Sequence, residues 1–206
     1  MKRLLNNNTS TDEMSKNDII ETILFIIEQI LNYTSKLNQS TPSIFDKKEK
    51  DEINDKSELT TDSTDPNSEE IENNAKYDKF SLAQYLYYWT DKLNLNENLL
   101  FLMTMNLDKI LESQKIILSE KNVENVLYTC MIITQKFYED DSFSDKDYSK
   151  LKKVDIDELI NMQIELLKLI DYSLLIDEAD LSRYKERMNQ ICQKNMLHLL
   201  NSWKGI

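Results

Sequence analysis

A run of apolar residues without a polar face constrains the fold of this chain more than any other feature. From Val126 to Ile133 the side chains are apolar, or nearly so, on every side of a helix, and the apolar character continues to Phe137. A helix of this kind has to be surrounded by other elements. A buried strand is the competing interpretation of so short a run, but every flanking segment has helical spacing. The run therefore predicts a central helix within residues 122–141, wrapped by other helices.

The rest of the chain favours an all-α fold. The only glycine is Gly205, and no segment alternates apolar and polar residues as a half-buried strand does. Apolar residues instead recur at spacings of three and four, behind residues that cap helices. The predicted helices are residues 17–38 capped by Asn17 or Asp18, a helix capped by Ser81, a helix capped by Asn96, the central helix, a short helix near 145–150, a helix capped by Asp155, and a C-terminal helix over 177–202.

Two segments are predicted to be disordered. Residues 1–16 are polar, and residues 39–78 are rich in Asp, Glu, Lys, Ser, Thr and Asn and contain both prolines of the chain. Such segments cannot bury enough apolar surface to offset the entropy lost on ordering. The predicted organisation is an N-terminal helix, an acidic linker over 39–78, and a helical domain over 79–188 that overlaps the start of the C-terminal helix.

Charge and hydropathy exclude several classes of partner. The net charge is −12 with a pI near 4.6, which argues against nucleic-acid binding because that requires clustered Lys and Arg. No apolar run approaches the roughly 20 residues of a membrane span, and the first residues lack the apolar stretch of a signal peptide. We therefore expect a nuclear or cytoplasmic protein that binds no membrane, with Cys130 and Cys192 as buried free thiols.

The residue types that carry enzymatic chemistry are scarce. With one glycine, the chain lacks phosphate-cradling loops, dinucleotide fingerprints and calcium loops, so the acidic residues between Glu139 and Asp147 are interpreted as a solvated loop. One histidine, His198, and two distant cysteines supply too few ligands for a metal site. The sequence predicts no catalytic residue, cofactor, metal or small-molecule substrate.

Two polar residues interrupt otherwise apolar helical faces. Lys136 follows Ile132 and Ile133 at the end of the central helix, and Gln163 lies in the middle of a later apolar stripe. Each has a structural explanation on its own, because a lysine complements a helix C-terminus and a buried amide usually bonds a nearby carbonyl. Together they indicate a surface that recognises a partner.

Several short motifs follow one another in the order of a known family. Lys136–Asp141 resembles the Lys-Phe-x-Asp-Asp stretch that ends the central helix of a cyclin box. Tyr148–Lys150 and Glu158–Met162 are similar to the Tyr-Ala-Lys and Glu-Leu-Asn-x-Leu patterns of the phosphate-response, or P/U-type, cyclins. Ser81–Leu86 resembles the Ile-Ser-x-x-x-Tyr-Leu opening of that group, and Asp171–Leu174 resembles its Asp-Phe-x-Leu ending.

The resemblance implies a cyclin-like helical bundle, with a single five-helix cyclin box preceded by an extra helix and the acidic linker. It implies a regulatory subunit without chemistry of its own, which forms a heterodimer with a cyclin-dependent kinase, docks on the αC helix of that kinase and activates it. By position in the family pattern, the docking surface would comprise Ile133, Thr134, Lys136, Phe137, Gln163, Leu167, Tyr172 and Leu174.

The chain departs from the family pattern at informative places. Tyr88 replaces an Arg that pairs with an Asp matching Asp108, and we expect Tyr88 or Lys92 to satisfy that carboxylate instead. Gln163 replaces the Glu that meets the kinase. Because charge-assisted hydrogen bonds are about twice as strong as neutral ones, this change predicts kinase binding weaker by about 1–2 kcal/mol, which Gln163→Glu would restore.

Two further interpretations remain open. An all-α adaptor without a kinase partner explains the composition and the helices equally well, although it does not explain the ordered motifs. A DNA-binding transcription factor that shares the cyclin fold is disfavoured by the acidity of the chain.

Overall fold

The structure is a computed structural model in which residues 14–36, 44–46 and 79–203 are described, with the backbone alone described at 79–81 and 196–203. Within these ranges the chain forms helices and no strand, so the predicted all-α fold is confirmed. The helices are α1 Lys16–Lys36, α2 Lys79–Lys92, α3 Glu97–Glu112, α4 Val123–Tyr138, α5 Asp145–Lys152, α6 Ile156–Leu169 and α7 Glu178–Trp203.

Local capping signals determine where two of the helices begin. The side chain of Asn96 accepts from the Leu99 amide at 3.0 Å at the start of α3. Asp155 accepts from the amides of Asp157 and Glu158 at 2.9 and 3.2 Å at the start of α6. Both predicted caps are confirmed, because each side chain satisfies amides that the first helical turn leaves without partners.

Two other predicted helix starts were wrong by a few residues. α1 begins at Lys16, behind a reciprocal cap in which the Ser15 amide donates to Asp18 Oδ2 at 3.1 Å and the Asp18 amide donates to Ser15 Oγ at 3.2 Å. Asp18 thus completes the capping box of Ser15. α2 begins at Lys79, so Ser81 lies inside the helix rather than ahead of it.

The central helix is α4, and it occupies the position that its apolar run predicts. Every residue from Val126 to Gln135 is buried. The helix packs against α2, α3 and α6. Full burial of each large apolar side chain contributes about 1.5–3 kcal/mol, so α4 organises the core.

α1 belongs to the same core, although most of the predicted linker separates it from α2. Its buried side chains contact the common cluster, and the helix packs on α2, α3 and α7. Burial of these residues explains why a segment outside the predicted 79–188 domain folds with it. The buried apolar residues of α1 are Ile19, Ile20, Ile23, Leu24 and Ile27.

Three residues within the predicted disordered linker are part of the folded domain. Phe45 is only 2% exposed, and its carbonyl accepts from Asn125 Nδ2 at 2.8 Å. Disorder is therefore a wrong prediction for 44–46, because one aromatic side chain buries enough area to anchor a short segment. The remainder of 39–78 and residues 1–13 lie outside the described residues.

Both cysteines are free thiols. Cys130 is buried, its Sγ donates to the Met103 carbonyl at 3.3 Å, and burial raises its pKa to about 12. Cys192 is only partly buried, unlike its prediction. In the described ranges, no helix combines the length and hydropathy that crossing a membrane requires, and His, Cys, Asp and Glu nowhere gather into a group able to hold a metal ion.

The carboxylate of Asp108 bonds a residue that the sequence did not suggest. Tyr184 of α7 donates to Asp108 Oδ2 at 2.7 Å. Tyr88 is 55% exposed and packs its ring on Trp89 instead. The expectation that Tyr88 or Lys92 bonds Asp108 was wrong, because α7 packs directly on α3 and supplies the donor.

Candidate functional site

The two polar residues that interrupt apolar faces lie together in space. Lys136, in the last turn of α4, places Nζ 3.0 Å from Oε1 of Gln163 in the middle of α6. The Lys136 side chain is 33% exposed, whereas Gln163 is 7% exposed. A buried amide therefore holds a lysine whose ammonium reaches the surface.

A third residue, Asp145, completes this arrangement. Asp145 Oδ1 accepts from Lys136 Nζ at 2.8 Å and from Gln163 Nε2 at 2.8 Å. Burial alone would raise the pKa of Asp145, but the hydrogen bonds from Lys136 and Gln163 and the charge of Lys136 lower it overall. We call Lys136, Asp145 and Gln163 the Lys136 cluster; it joins the end of α4, the start of α5 and the middle of α6.

Sequence reasoning missed Asp145 because it interpreted the acidic residues after Tyr138 as a solvated loop. Asp145 is the first residue of α5, capped by Ser144, whose side chain accepts from the Asp147 amide at 3.3 Å. This cap is a readable local signal for the start of a helix. It does not indicate that α5 would lie beside α4 and α6.

A buried hydrogen-bond network fixes α5 against α4. Tyr148 OH donates to Gln135 Oε1 at 2.9 Å, and Gln135 Nε2 donates to the Leu93 carbonyl at 2.8 Å. Tyr128 OH donates to the Tyr148 carbonyl at 2.8 Å. Burial raises the pKa of Tyr148 to about 12, so its hydroxyl stays a donor. The network therefore sets where α5 begins, and with it the position of Asp145.

A second set of bonds holds the segment after α6 against α4. Tyr138 OH donates to the Leu174 carbonyl at 2.8 Å and accepts from the Ile176 amide at 3.0 Å. Lys109 of α3 adds a bond from Nζ to the Ser173 carbonyl at 2.9 Å. The Phe137 ring packs edge-on against Tyr138, with 4.9 Å between centroids. The segment 170–176 and the end of α4 thus form one continuous surface.

This segment contains strained backbone. Asp171 and Tyr172 have φ of 49° and 58°, the left-handed region that costs L-residues roughly 1–2 kcal/mol each. Tyr172 is nonetheless 63% exposed, so its side chain gains little from packing within the chain. Left-handed residues also follow α2, α3 and α5, at Asn94, Gln114 and Lys153, so this backbone ends α6 as other helices of the chain end.

The eight residues predicted to line a docking surface divide into exposed and buried groups. Lys136, Phe137 and Tyr172 are exposed, Leu167 is half-buried, and Gln163 is nearly buried within the Lys136 cluster. The other three are 1–7% exposed and lie beneath this surface, two of them on the inward side of α4 and one in the segment after α6, so their contact with a partner stays a prediction. These are Ile133, Thr134 and Leu174.

Exposed apolar residues near the Lys136 cluster were missing from the prediction. Ile164, next to Gln163 on α6, is 39% exposed, and Leu175, next to Leu174, is 76% exposed. Phe143, just before α5, is 40% exposed. Phe143 packs edge-on against Tyr148 of α5, whereas Ile164 lies on α6 and Leu175 in the segment after it.

The fold is an all-α bundle, and the surface around the Lys136 cluster combines charged and exposed apolar side chains as protein interfaces do. The cyclin family model matches residues 1–174, which include α1 and end at Leu174, and the chain belongs to the cyclin family. Cyclins are regulatory, non-catalytic subunits. No curated protein matches the chain significantly.

Proposed function

We propose that this chain is the regulatory subunit of a cyclin-dependent kinase. Its surface around the Lys136 cluster docks on the αC helix of the kinase and holds that helix inward. In that position the catalytic lysine and the αC glutamate of the kinase form their ion pair, which the active state requires. The chain itself performs no chemistry.

The observation that carries this proposal is the contact between Lys136 and Gln163. Sequence spacing placed one on each of two separate helices, and they meet at 3.0 Å at the protein surface. An ammonium offers three donors, and the described residues use two of them, through Asp145 and Gln163. The third donor suits a carbonyl at the exposed end of a partner helix.

Exposed apolar residues provide the remainder of the docking surface. Phe137, Tyr172 and Leu175 are 49%, 63% and 76% exposed. Burying large apolar side chains of this kind contributes up to about 1.5–3 kcal/mol each, before the costs of association are subtracted. The apolar residues would supply affinity, and the Lys136 cluster would set the orientation of the partner.

The P/U-type subclass follows from the resemblance of short motifs. Tyr148 in the Tyr-Ser-Lys motif is fully buried, and Ser149 Oγ donates to the Val154 carbonyl at 2.8 Å where α5 ends. These roles support the view that the motif is a structural signature of the box. A nuclear or cytoplasmic location is part of the same proposal.

Titration against purified cyclin-dependent kinases of the source organism tests the proposal. Wild type should bind at least one of them and raise its activity on a peptide substrate. Lys136→Ala should weaken binding by about 1.5–3 kcal/mol, the contribution of a charge-assisted hydrogen bond, or roughly tenfold or more in Kd. The matched control is Lys92→Ala, which removes an exposed lysine from the last turn of α2.

The adaptor interpretation predicts a different result. An adaptor without a kinase partner would leave every kinase unbound and inactive, and Lys136→Ala would then be silent. If wild type activates a kinase but Lys136→Ala behaves like Lys92→Ala, the kinase docks elsewhere on the chain.

A further inference from the structure

The docking surface lacks a negative charge at the position where the resemblance implies one. The resemblance implies a glutamate at the position of Gln163, so the lysine of this chain faces a neutral amide where a carboxylate is expected. The sequence alone therefore predicts weakened kinase binding. The structure shows a carboxylate 2.8 Å from Lys136 Nζ, and it comes from another helix.

We propose that Asp145 takes over the acidic role missing at Gln163, so that the carboxylate of the docking surface stands at the start of α5 instead of in α6. Asp145 is then a positioning and specificity residue for the kinase. This inference rests on the proposed function and adds the residue that sets the charge of the docking surface.

The hydrogen-bond geometry supports a shared role for the two side chains. Gln163 Oε1 accepts from Lys136 at 3.0 Å, while Gln163 Nε2 donates to Asp145 Oδ1 at 2.8 Å. The Lys136–Asp145 bond of 2.8 Å closes the triangle. Both polar ends of the amide are used, so Gln163 fits this arrangement as a bridge between two opposite charges, which a glutamate could not be.

The carboxylate keeps a free acceptor for a partner. Both contacts end on Oδ1, and among the described residues Oδ2 accepts no hydrogen bond. The Asp145 side chain is 32% exposed. The surface therefore presents one ammonium donor and one carboxylate acceptor side by side. It fits a kinase that offers a carbonyl to Lys136 and an N–H or basic side chain to Asp145.

The position of Asp145 is prepared before the partner arrives. The Ser144 cap and the buried Tyr148–Gln135 bond fix the first turn of α5. A carboxylate in the first turn of a helix is also favoured by the helix dipole. Little side-chain freedom remains to be lost on docking, which favours affinity.

This arrangement reverses the expectation for Gln163→Glu. A second carboxylate at this position would face Asp145 across a 2.8 Å contact, and like charges that close repel. The substitution would also remove the donor that bridges the pair. Gln163→Glu should therefore weaken kinase binding, whereas a simple deficit at Gln163 predicts that it strengthens binding.

Four variants test the inference against a kinase that wild type binds: Asp145→Asn, Gln163→Glu, the double swap Asp145→Asn with Gln163→Glu, and the control Asp141→Asn. The swap keeps the net charge and returns the carboxylate to α6. Asp141 is an exposed neighbour, so its variant matches the charge change alone. Asp145 is about a third exposed, so Asp145→Asn should leave the fold intact. Gln163 is only 7% exposed, so thermal unfolding checks that the two variants that carry Gln163→Glu remain folded.

We expect Asp145→Asn and Gln163→Glu each to weaken binding about tenfold or more, Asp141→Asn to have little effect, and the swap to recover most of the loss. Tighter binding by Gln163→Glu alone would overturn the inference. Kinase binding by Asp145→Asn that is no weaker than binding by Asp141→Asn would also overturn the inference. A double swap that recovers none of the lost affinity would do so as well. A wild type that binds no kinase would refute the proposed function itself.

Discussion

At the scale of single residues, Asp108 lacks the arginine that the resemblance implies and bonds Tyr184, a residue distant in sequence, instead. Burial raises its pKa, while the Tyr184 hydrogen bond and the charge of Arg187 act in the opposite direction. The same contact, together with burial, raises the pKa of Tyr184 and keeps its hydroxyl protonated. The neutral hydroxyl of Tyr184 therefore bonds Asp108 where the resemblance implies an arginine.

A pH-dependent prediction follows for Asp108→Asn. The folded-state pKa of Asp108 lies above its ordinary value of 3.8, so the folded chain binds this proton more tightly than the unfolded chain. The carboxylate therefore reduces stability once the pH exceeds its folded-state pKa, and this cost disappears below pH 3.8. The amide stays neutral throughout and still accepts from Tyr184. Urea unfolding should show Asp108→Asn more stable than wild type at pH 7, with the difference shrinking as the pH falls.

The control for that measurement is Tyr184→Phe. In the wild-type background it should cost about 1–3 kcal/mol at pH 7, because it leaves a largely buried carboxylate without its donor. In the Asp108→Asn background the cost should be smaller. A constant difference between Asp108→Asn and wild type at all pH values would show that Asp108 titrates normally.

At the scale of elements, local signals predicted the helices better than their ends or their neighbours. The central helix and the caps at Asn96 and Asp155 were correct because each depends on residues close in sequence. The left-handed end of α5 at Lys153, with φ of 57°, was not predicted, because a lysine does not signal that conformation as a glycine does. The packing of α1 was not predicted, because α1 contacts helices that lie beyond the linker in sequence, and helical spacing relates only residues that are close along the chain.

The packing of α1 gives an element-scale prediction. Ile27 is fully buried, whereas Phe25 on the same helix is 38% exposed. Ile27→Ala should lower the free energy of unfolding by about 2–5 kcal/mol, the usual cost of emptying a core position. Phe25→Ala should cost clearly less than Ile27→Ala, since 38% of the area of Phe25 stays in water. Chemical denaturation measures both; equal losses would mean that α1 does not share the core.

At the scale of the whole molecule, helical periodicity predicted only those residues of the candidate site that stand out on their own helix. Lys136 and Gln163 were identified because each interrupts an apolar stripe on its own helix. Asp145 and the buried support by Ile133 and Thr134 depend on how α4, α5 and α6 cross, which spacing along one helix does not encode. The resemblance supplied the proposed partner, but it assigned the negative charge to a residue that is neutral here.

The last prediction compares the Lys136 cluster with a second surface of the molecule. A groove between α3 and α7, lined by Phe101, Leu181 and, just before α1, Met14 among others, is a second surface of the described residues with room for a partner. If the kinase docks at the Lys136 cluster, its binding should slow amide hydrogen exchange at the end of α4, the start of α5 and residues 170–176. These amides are ordered but near the surface, where a partner adds protection. Exchange in the groove should stay unchanged, and protection there without protection at the Lys136 cluster would assign docking to α3 and α7.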